Sequence, residues 1–229
     1  AGRLGPRWRG GGGLGGGIPH PLGWTAGSPL LSIGEPRPEH AGLNARARAD
    51  IKARQGVELL TSGDLRVMDE QGREVPRDGQ TLGEIVVRGN VVMAGYYNDA
   101  KASAEVIRDG WFYSGDAAVV HPDGYLEIRD RLKDVIISGG ENISSVEVEG
   151  LLLRHPAVQE VAVVGVPHEK WGESPQAFVV LKAGATASET ELRQFARDHL
   201  AHFKVPQGFT FVAELPKTAT GKIQKYILR

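Results

Sequence analysis

Apolar residues are unevenly spread along this chain, and their spacing divides it into two kinds of structure. From residue 41 onward they recur in short runs punctuated by turn-forming residues. Residues 41–55, rich in Ala and Arg, predict a surface helix stopped by Gly56. Short apolar runs follow at 65–68, 84–88, 91–93, 117–121 and 125–128. Pro122-Asp123-Gly124, between the last two, is a tight-turn signal. As far as about Asp130 the pattern predicts a β-rich region, a sheet or partial barrel.

Beyond Arg131 predicted strands interleave with helices. Residues 134–137 form a short strand in this reading, and Gly139-Gly140 a backbone turn. Ser144 with Glu147 and Ser188 with Glu191 have the spacing of capping boxes. They open helices that end near His155-Pro156 and near Ala201. Residues 158–166 and 176–181 are apolar enough for buried strands, and 209–212 predict one more. The fold class is therefore α+β. Residues 35–131 form the β-rich end of a larger domain, and 132–229 a small α+β domain of ordinary size, with the seam near Lys133.

Composition sharpens this picture at the N-terminus. Residues 1–30 hold 11 of the 31 glycines, and no acidic residue precedes Glu35. Glycine offers no side chain to bury and loses the most backbone entropy on ordering, so residues 1–34 are expected to be disordered. The glycine run is a poor phosphate loop, because no Gly-Lys-Ser/Thr closes it. Arg3, Arg7 and Arg9 hint at a transit peptide, but no amphipathic apolar face accompanies them.

Charge and cysteine content exclude several chemistries. The 229 residues carry 27 Lys plus Arg against 28 Asp plus Glu, for a net charge of -1, which argues against a nucleic-acid partner. Cysteine is absent, which removes disulfides, thiolate nucleophiles and Cys-based zinc sites. No apolar run approaches the roughly 20 residues that span a bilayer, so a soluble, cytoplasmic protein is expected. His121, His155, His199 and His202 show no metal-ligand spacing, and no metal site is expected. His168 and Trp171-Gly172-Glu173 read as a surface loop after a strand.

Four segments carry chemistry. Gly83-Glu84-Ile85-Val86-Val87-Arg88-Gly89, with Gly95-Tyr96-Tyr97 behind it, comes first, and Gly110-Trp111-Phe112-Tyr113-Ser114-Gly115-Asp116 second. Third is Asp130-Arg131-Leu132-Lys133-Asp134-Val135-Ile136-Ile137-Ser138-Gly139-Gly140-Glu141-Asn142-Ile143. The last is Leu215-Pro216-Lys217-Thr218-Ala219-Thr220-Gly221-Lys222-Ile223. In this order and spacing, over roughly residues 41–229, they resemble the adenylate-forming superfamily of acyl-CoA synthetases, peptide-synthetase adenylation domains and luciferases.

The residues support that resemblance to different degrees. Asp116 ends an aromatic stretch where a strand would give way to a turn. Its carboxylate could accept two hydrogen bonds from a vicinal diol or simply cap the turn. The resemblance implies that it binds the ribose of ATP and AMP. It gives Arg131 the same nucleotide, where the residues alone allow a surface pair with Asp130 or Asp134. It makes Lys133 the hinge about which the small domain rotates, where an exposed linker lysine is the plain alternative. Gly139 and Gly140 would line the channel for the pantetheine arm of CoA, or only turn the chain.

Lys222 is the implied catalytic residue. Residues 217–229 contain four basic side chains and no acid, a flexible basic tail on which an ammonium could approach a phosphate. The resemblance implies that Lys222 bridges the substrate carboxylate and the α-phosphate, offsetting the repulsion between two anions as they react. The same Pro-to-Gly-Lys pattern resembles a site of acetylation, which makes a lysine acetyltransferase a possible partner acting on Lys222.

The implied reaction uses ATP, Mg²⁺ and a carboxylate, with a fatty acid expected, to give acyl-AMP and pyrophosphate; CoA then forms the thioester. The superfamily's Ser/Thr/Gly-rich phosphate loop closing on a Lys has no counterpart here, and neither does its Tyr-Gly-x-Thr-Glu segment. Residues 1–34 resemble nothing in the family. The chain is thus expected to be a C-terminal portion that is inactive alone. Two alternatives stay open: a non-catalytic nucleotide- or partner-binding module, and an adenylation enzyme that loads a carrier protein.

Overall fold

A computed structural model describes residues 22–27, 30–34 and 37–229. The chain divides into two compact units between Ile128 and Arg129.

In the first unit, β1 (Ser32–Ile33) pairs antiparallel with β2 (Val57–Glu58), and α1 (Ala45–Ala53) lies between them in sequence. Asn44 caps α1 by accepting the Ala47 N–H at 2.9 Å, an arrangement worth about 1 kcal/mol. A five-stranded sheet follows, in the order β3 (Asp64–Met68), β4 (Gly83–Arg88), β6 (Trp111–Val120), β5 (Ile107–Arg108), with β7 (Leu126–Arg131) also on β6. Strand β4 is buried on both faces. Ile85 and Val87 join Val67, Ala118 and Leu126 in one cluster, while Val86 packs with Met68 and Trp111 in another. That explains its unbroken Ile-Val-Val run.

Three sequence expectations change here. Leu22 and Leu31 are buried in the core, and Leu22 exchanges backbone hydrogen bonds with residues 31 and 32. Disorder is therefore wrong for residues 22–27 and 30–34; positions 1–21 lie outside the described residues. The glycine average hid an apolar anchor at its far end. Residues 91–93 form a turn and not a strand, with Val91 and Val92 packed against the core as loop side chains. A short helix that the apolar pattern did not reveal, α2 (Ala100–Val106), starts at Asp99, whose side chain accepts the Ala102 N–H.

The second unit is a sheet covered on both faces. Strands β10 (Val158–His168) and β11 (Gly172–Leu181) form a long antiparallel hairpin. Beside β11 lie the short hairpin β8 (Ile136–Ser138) and β9 (Glu141–Ile143), and β12 (Gly208–Phe211) runs parallel to β11. Side chains alternate along β10. Val161 and Val163 meet Val148, Leu151 and Leu152 of α3 (Ser145–Leu152) and Leu192 and Ala196 of α4 (Glu189–Arg197). Ala162, on the other face, joins Val180 and Leu215, against which Ile223 and Leu228 pack. The C-terminal segment thus forms the second layer. Both predicted caps form: Ser144 accepts from Glu147 N–H, and Ser188 with Glu191 makes the reciprocal box.

Candidate functional site

In the first unit the candidate residue Asp116 lies near the middle of β6. The pairing of β4 with β6 shifts register between Glu84 and Val86, and Gly115 adopts φ +70°, a left-handed conformation that favours glycine. This irregularity is a β-bulge, a device that re-aims side chains. It also corrects an expectation: Asp116 lies within a ten-residue strand, not at a turn. The Gly115 N–H donates to Glu84 Oε1 at 2.7 Å. Burial pushes the Glu84 carboxyl above its ordinary value, with the Gly115 N–H and Arg108 opposing.

Asp116 itself is 2% exposed. Its Oδ2 accepts the Trp24 indole N–H at 3.0 Å, across 92 positions of sequence. Trp24 in turn meets the ring of Phe112 edge-on, at 6.2 Å between centroids. Reading its segment as disordered concealed Trp24, the residue that orients the carboxylate. Its signal was an aromatic residue among the leucines that end the glycine-rich stretch.

The second unit holds the remaining candidates. Arg131 ends β7 and gives its backbone N–H to Asp130 Oδ1 at 2.7 Å. Lys133 is exposed in a single 3-10 turn, Leu132–Asp134, and its carbonyl accepts the Arg229 guanidinium at 2.6 Å. The same guanidinium bonds Asp134 at 2.9 Å. Gly139 and Gly140 make the two-residue turn of the β8–β9 hairpin, with φ +60° and +87°. Positive φ at both positions is what a tight hairpin turn of this hand demands. A Cβ on Gly139 would stand 2.8 Å from Cε3 of Trp171, so that glycine also makes room for an indole.

Lys222 lies at the end of a tight turn. Thr218 N–H donates to the Lys222 carbonyl at 2.8 Å, and the Lys222 N–H donates back to Thr218 Oγ1 at 3.1 Å. Gly221, at φ +79°, allows the chain to reverse. The tail is docked, contrary to the flexible segment expected. Leu215 is buried, Ile223 and Leu228 pack on the sheet, and the neighbouring lysines are paired, Lys217 with Glu160 and Lys225 with Glu149, each at 2.7 Å. The side chain of Lys222 is exposed and has no hydrogen-bond or ion-pair partner among the described residues. The acid-free composition of the tail did not separate Lys222 from Lys217 and Lys225, whose acidic partners lie far away in sequence.

His168 caps a turn, its Nδ1 accepting the N–H groups of Lys170 and Trp171. Among the described residues no group of three or more His, Cys, Asp or Glu could hold a metal. No helix among them is long and apolar enough to cross a membrane.

The AMP-binding enzyme C-terminal domain family matches residues 147–222. A probable CoA ligase of Humulus lupulus is 55% identical over 191 residues, covering 82% of this chain and 34% of the relative. The 2-methylpropanoate–CoA ligase of the same plant is 50% identical over 220 residues, with 94% and 40% covered. A trans-cinnamate:CoA ligase of Petunia hybrida is 45% identical over 213 residues, with 93% and 37% covered. The last is named as peroxisomal, which does not support the cytoplasmic location expected above.

Among solved structures, the o-succinylbenzoate CoA synthetase of Bacillus subtilis, with its acyl-adenylate, aligns at a TM-score of 0.78 and 31% identity, over 92% of this chain and 40% of that one. An amide bond synthetase of Marinactinospora thermotolerans aligns at 0.73 and 34%, over 89% and 40%. Matches over 94% of the chain reach into residues 1–34, correcting the expectation that this stretch lies wholly outside the family. The chain spans between a third and two fifths of the length of these relatives, and it belongs to the adenylate-forming superfamily, corresponding to the C-terminal part of AMP-forming CoA ligases.

Proposed function

We propose that this chain supplies the nucleotide-sugar contact and the mobile catalytic lid of an enzyme that joins a small carboxylate to CoA through an acyl-adenylate. The observation that carries the reading is Lys222: an ammonium unpaired among the described residues, at the end of a docked turn whose neighbouring lysines are both paired. The substrate carboxylate is already ionised at neutral pH and needs no general base. What the first half-reaction needs is positive charge where two anions meet, and Lys222 supplies it. Asp116 and Arg131 bind the ribose of ATP and AMP, Asp116 as an oriented acceptor and Arg131 as a donor. Lys133 is the pivot on which the lid turns, and the Gly139–Gly140 turn lines the path of the pantetheine arm.

Relatives named for 2-methylpropanoate, trans-cinnamate and 4-hydroxybutyrate widen the expected fatty acid to a range of small carboxylates. The amide bond synthetase among the structural neighbours supports a second reading, in which another nucleophile takes the place of the CoA thiol.

Two variants of the full-length enzyme carrying this segment test the assignment in opposite directions. Lys222→Ala should lower acyl-adenylate formation, read as pyrophosphate release with octanoate, 2-methylpropanoate or cinnamate, by about 10²–10³. Thioester formation from supplied acyl-adenylate should survive. Lys133→Pro should spare adenylation and impair the thioester step, because proline restricts the backbone on which rotation depends. Equal loss of both steps in either variant would refute the corresponding role.

A further inference from the structure

Three residues past Lys222, the chain puts another lysine to the opposite use. Lys225 Nζ reaches the Glu149 carboxylate at 2.7 Å, and their side chains are 13% and 16% exposed. Lys225 also donates to Ser145 Oγ at 2.6 Å. Glu149 accepts the Val163 N–H of the central strand at 2.8 Å. Ser145 is fully buried, and both its hydroxyl and its N–H donate to Asp130 Oδ2 at 2.6 Å. Asp130 holds the backbone N–H of Arg131 through its other oxygen. A continuous polar network thus runs from the residue before Arg131, through the first turn of α3, to the segment that carries Lys222.

Burying an ion pair is a poor route to stability, since well-packed apolar side chains often do as well or better. What such a pair does impose is one geometry, because each charge must keep its partners. The 218–222 turn is gripped at both stems, but Lys217 and Glu160 are substantially exposed, where an ion pair contributes little. Orientation therefore falls to the buried grip.

We propose that Lys225 is a positioning residue: through Glu149, Ser145 and Asp130 it fixes the 218–222 turn on α3, so that Lys222 is presented in one orientation. The proposal rests on the adenylation role of Lys222. It assigns Lys225 no contact with substrate, and its effect falls on the half-reaction that uses Lys222.

The test uses the full-length enzyme with Lys222→Ala, Lys225→Met, and Lys225→Met combined with Glu149→Gln. The double variant removes both charges and leaves neither one buried alone. Melting temperature, adenylation, and thioester formation from supplied acyl-adenylate are measured for each. In the double variant adenylation should fall roughly ten- to a hundredfold, the scale of a misplaced catalytic group. Thioester formation should stay within about twofold, and the melting temperature close to that of the parent. Wild-type adenylation in the double variant, or an equal fall in both half-reactions, would overturn the proposal.

If the double variant fails to fold, Ser145→Ala replaces it. That change removes only the bridging hydroxyl and should give a smaller loss with the same bias towards adenylation; an unbiased loss or none overturns the proposal. If Lys222→Ala leaves adenylation intact, the functional reading itself fails and takes this one with it. If Lys222→Ala abolishes adenylation while the double variant does not, only the positioning role fails.

Discussion

Asp116 and Lys222, two of the charged groups proposed for the nucleotide chemistry, occupy opposite settings. Asp116 sits in the middle of a strand, 2% exposed, with a bulge beneath it and an indole N–H on its carboxylate. Lys222 stands in the open at the end of a turn, its side chain committed to nothing among the described residues. The anion is built into its unit, whereas the cation is held only through its backbone and the anchors on either side. A group that must grip one ligand throughout a reaction gains from fixed partners. A group needed in only one of two half-reactions gains from having none to leave behind.

The largest effect should come from removing the fixed group. Asp116→Ala deprives the Trp24 N–H of its acceptor in a buried place, which costs about 1–3 kcal/mol of stability. It should also depress adenylation, by about a hundredfold or more, through loss of the proposed ribose contact. Lys222→Ala should match that loss of rate with no change in Tm. Should both variants lose activity with unchanged Tm, the contrast between built-in and delivered charge breaks.

A second comparison lies inside the β8–β9 turn. Gly139 and Gly140 share a positive φ, so an alanine at either is strained by about 1–2 kcal/mol. At Gly140 nothing lies within 4 Å of the added methyl, whereas at Gly139 it meets the Trp171 ring at 2.8 Å. Gly139→Ala must therefore shift the indole as well as strain the turn. It should raise the KM for CoA several-fold more than Gly140→Ala does, with adenylation unchanged in both. Equal effects would mean that only the turn conformation matters, and not the glycine's contact with Trp171.

The sequence disclosed these places unequally, for physical reasons. Regular side-chain alternation and capping residues are local signals, so β10, β11, β12 and both capped helices of the second unit could be read directly, whereas the three-residue β9 could not. Asp116, Gly139, Gly140 and Lys222 came from motifs. Trp24 left only a faint local signal, because its role depends on a hydrogen bond that spans 92 residues. The Asp130–Ser145–Lys225–Glu149 network was hidden for the same reason: Lys225 and Ser145 are 80 positions apart. In the linear chain Lys225 and Lys222 are two basic residues of one tail. Only packing separates the buried one from the exposed one.

That separation yields the smallest and most specific prediction. Burial holds the Glu149 carboxyl above the ordinary value of 4.5, with the Lys225 charge pulling the other way and only partly offsetting it. In the unfolded chain Glu149 titrates near 4.5, so the folded state binds this proton more tightly. Its contribution to stability is then greatest below 4.5 and is lost as pH rises through the higher folded value. Asp64, Asp69 and Asp78 run oppositely, Asp78 being lowered to about 2, so the pH profile of the whole protein mixes both signs. The difference between the parent and Glu149→Gln isolates the one group. Measured as a Tm gap at several pH values, the parent's advantage should be largest in acid and shrink as pH rises past 4.5. A gap that widens instead would show that the attraction of Lys225 exceeds the cost of burial. The second lysine would then be held by charge as a surface pair is, and its contrast with Lys222 would lose its physical basis.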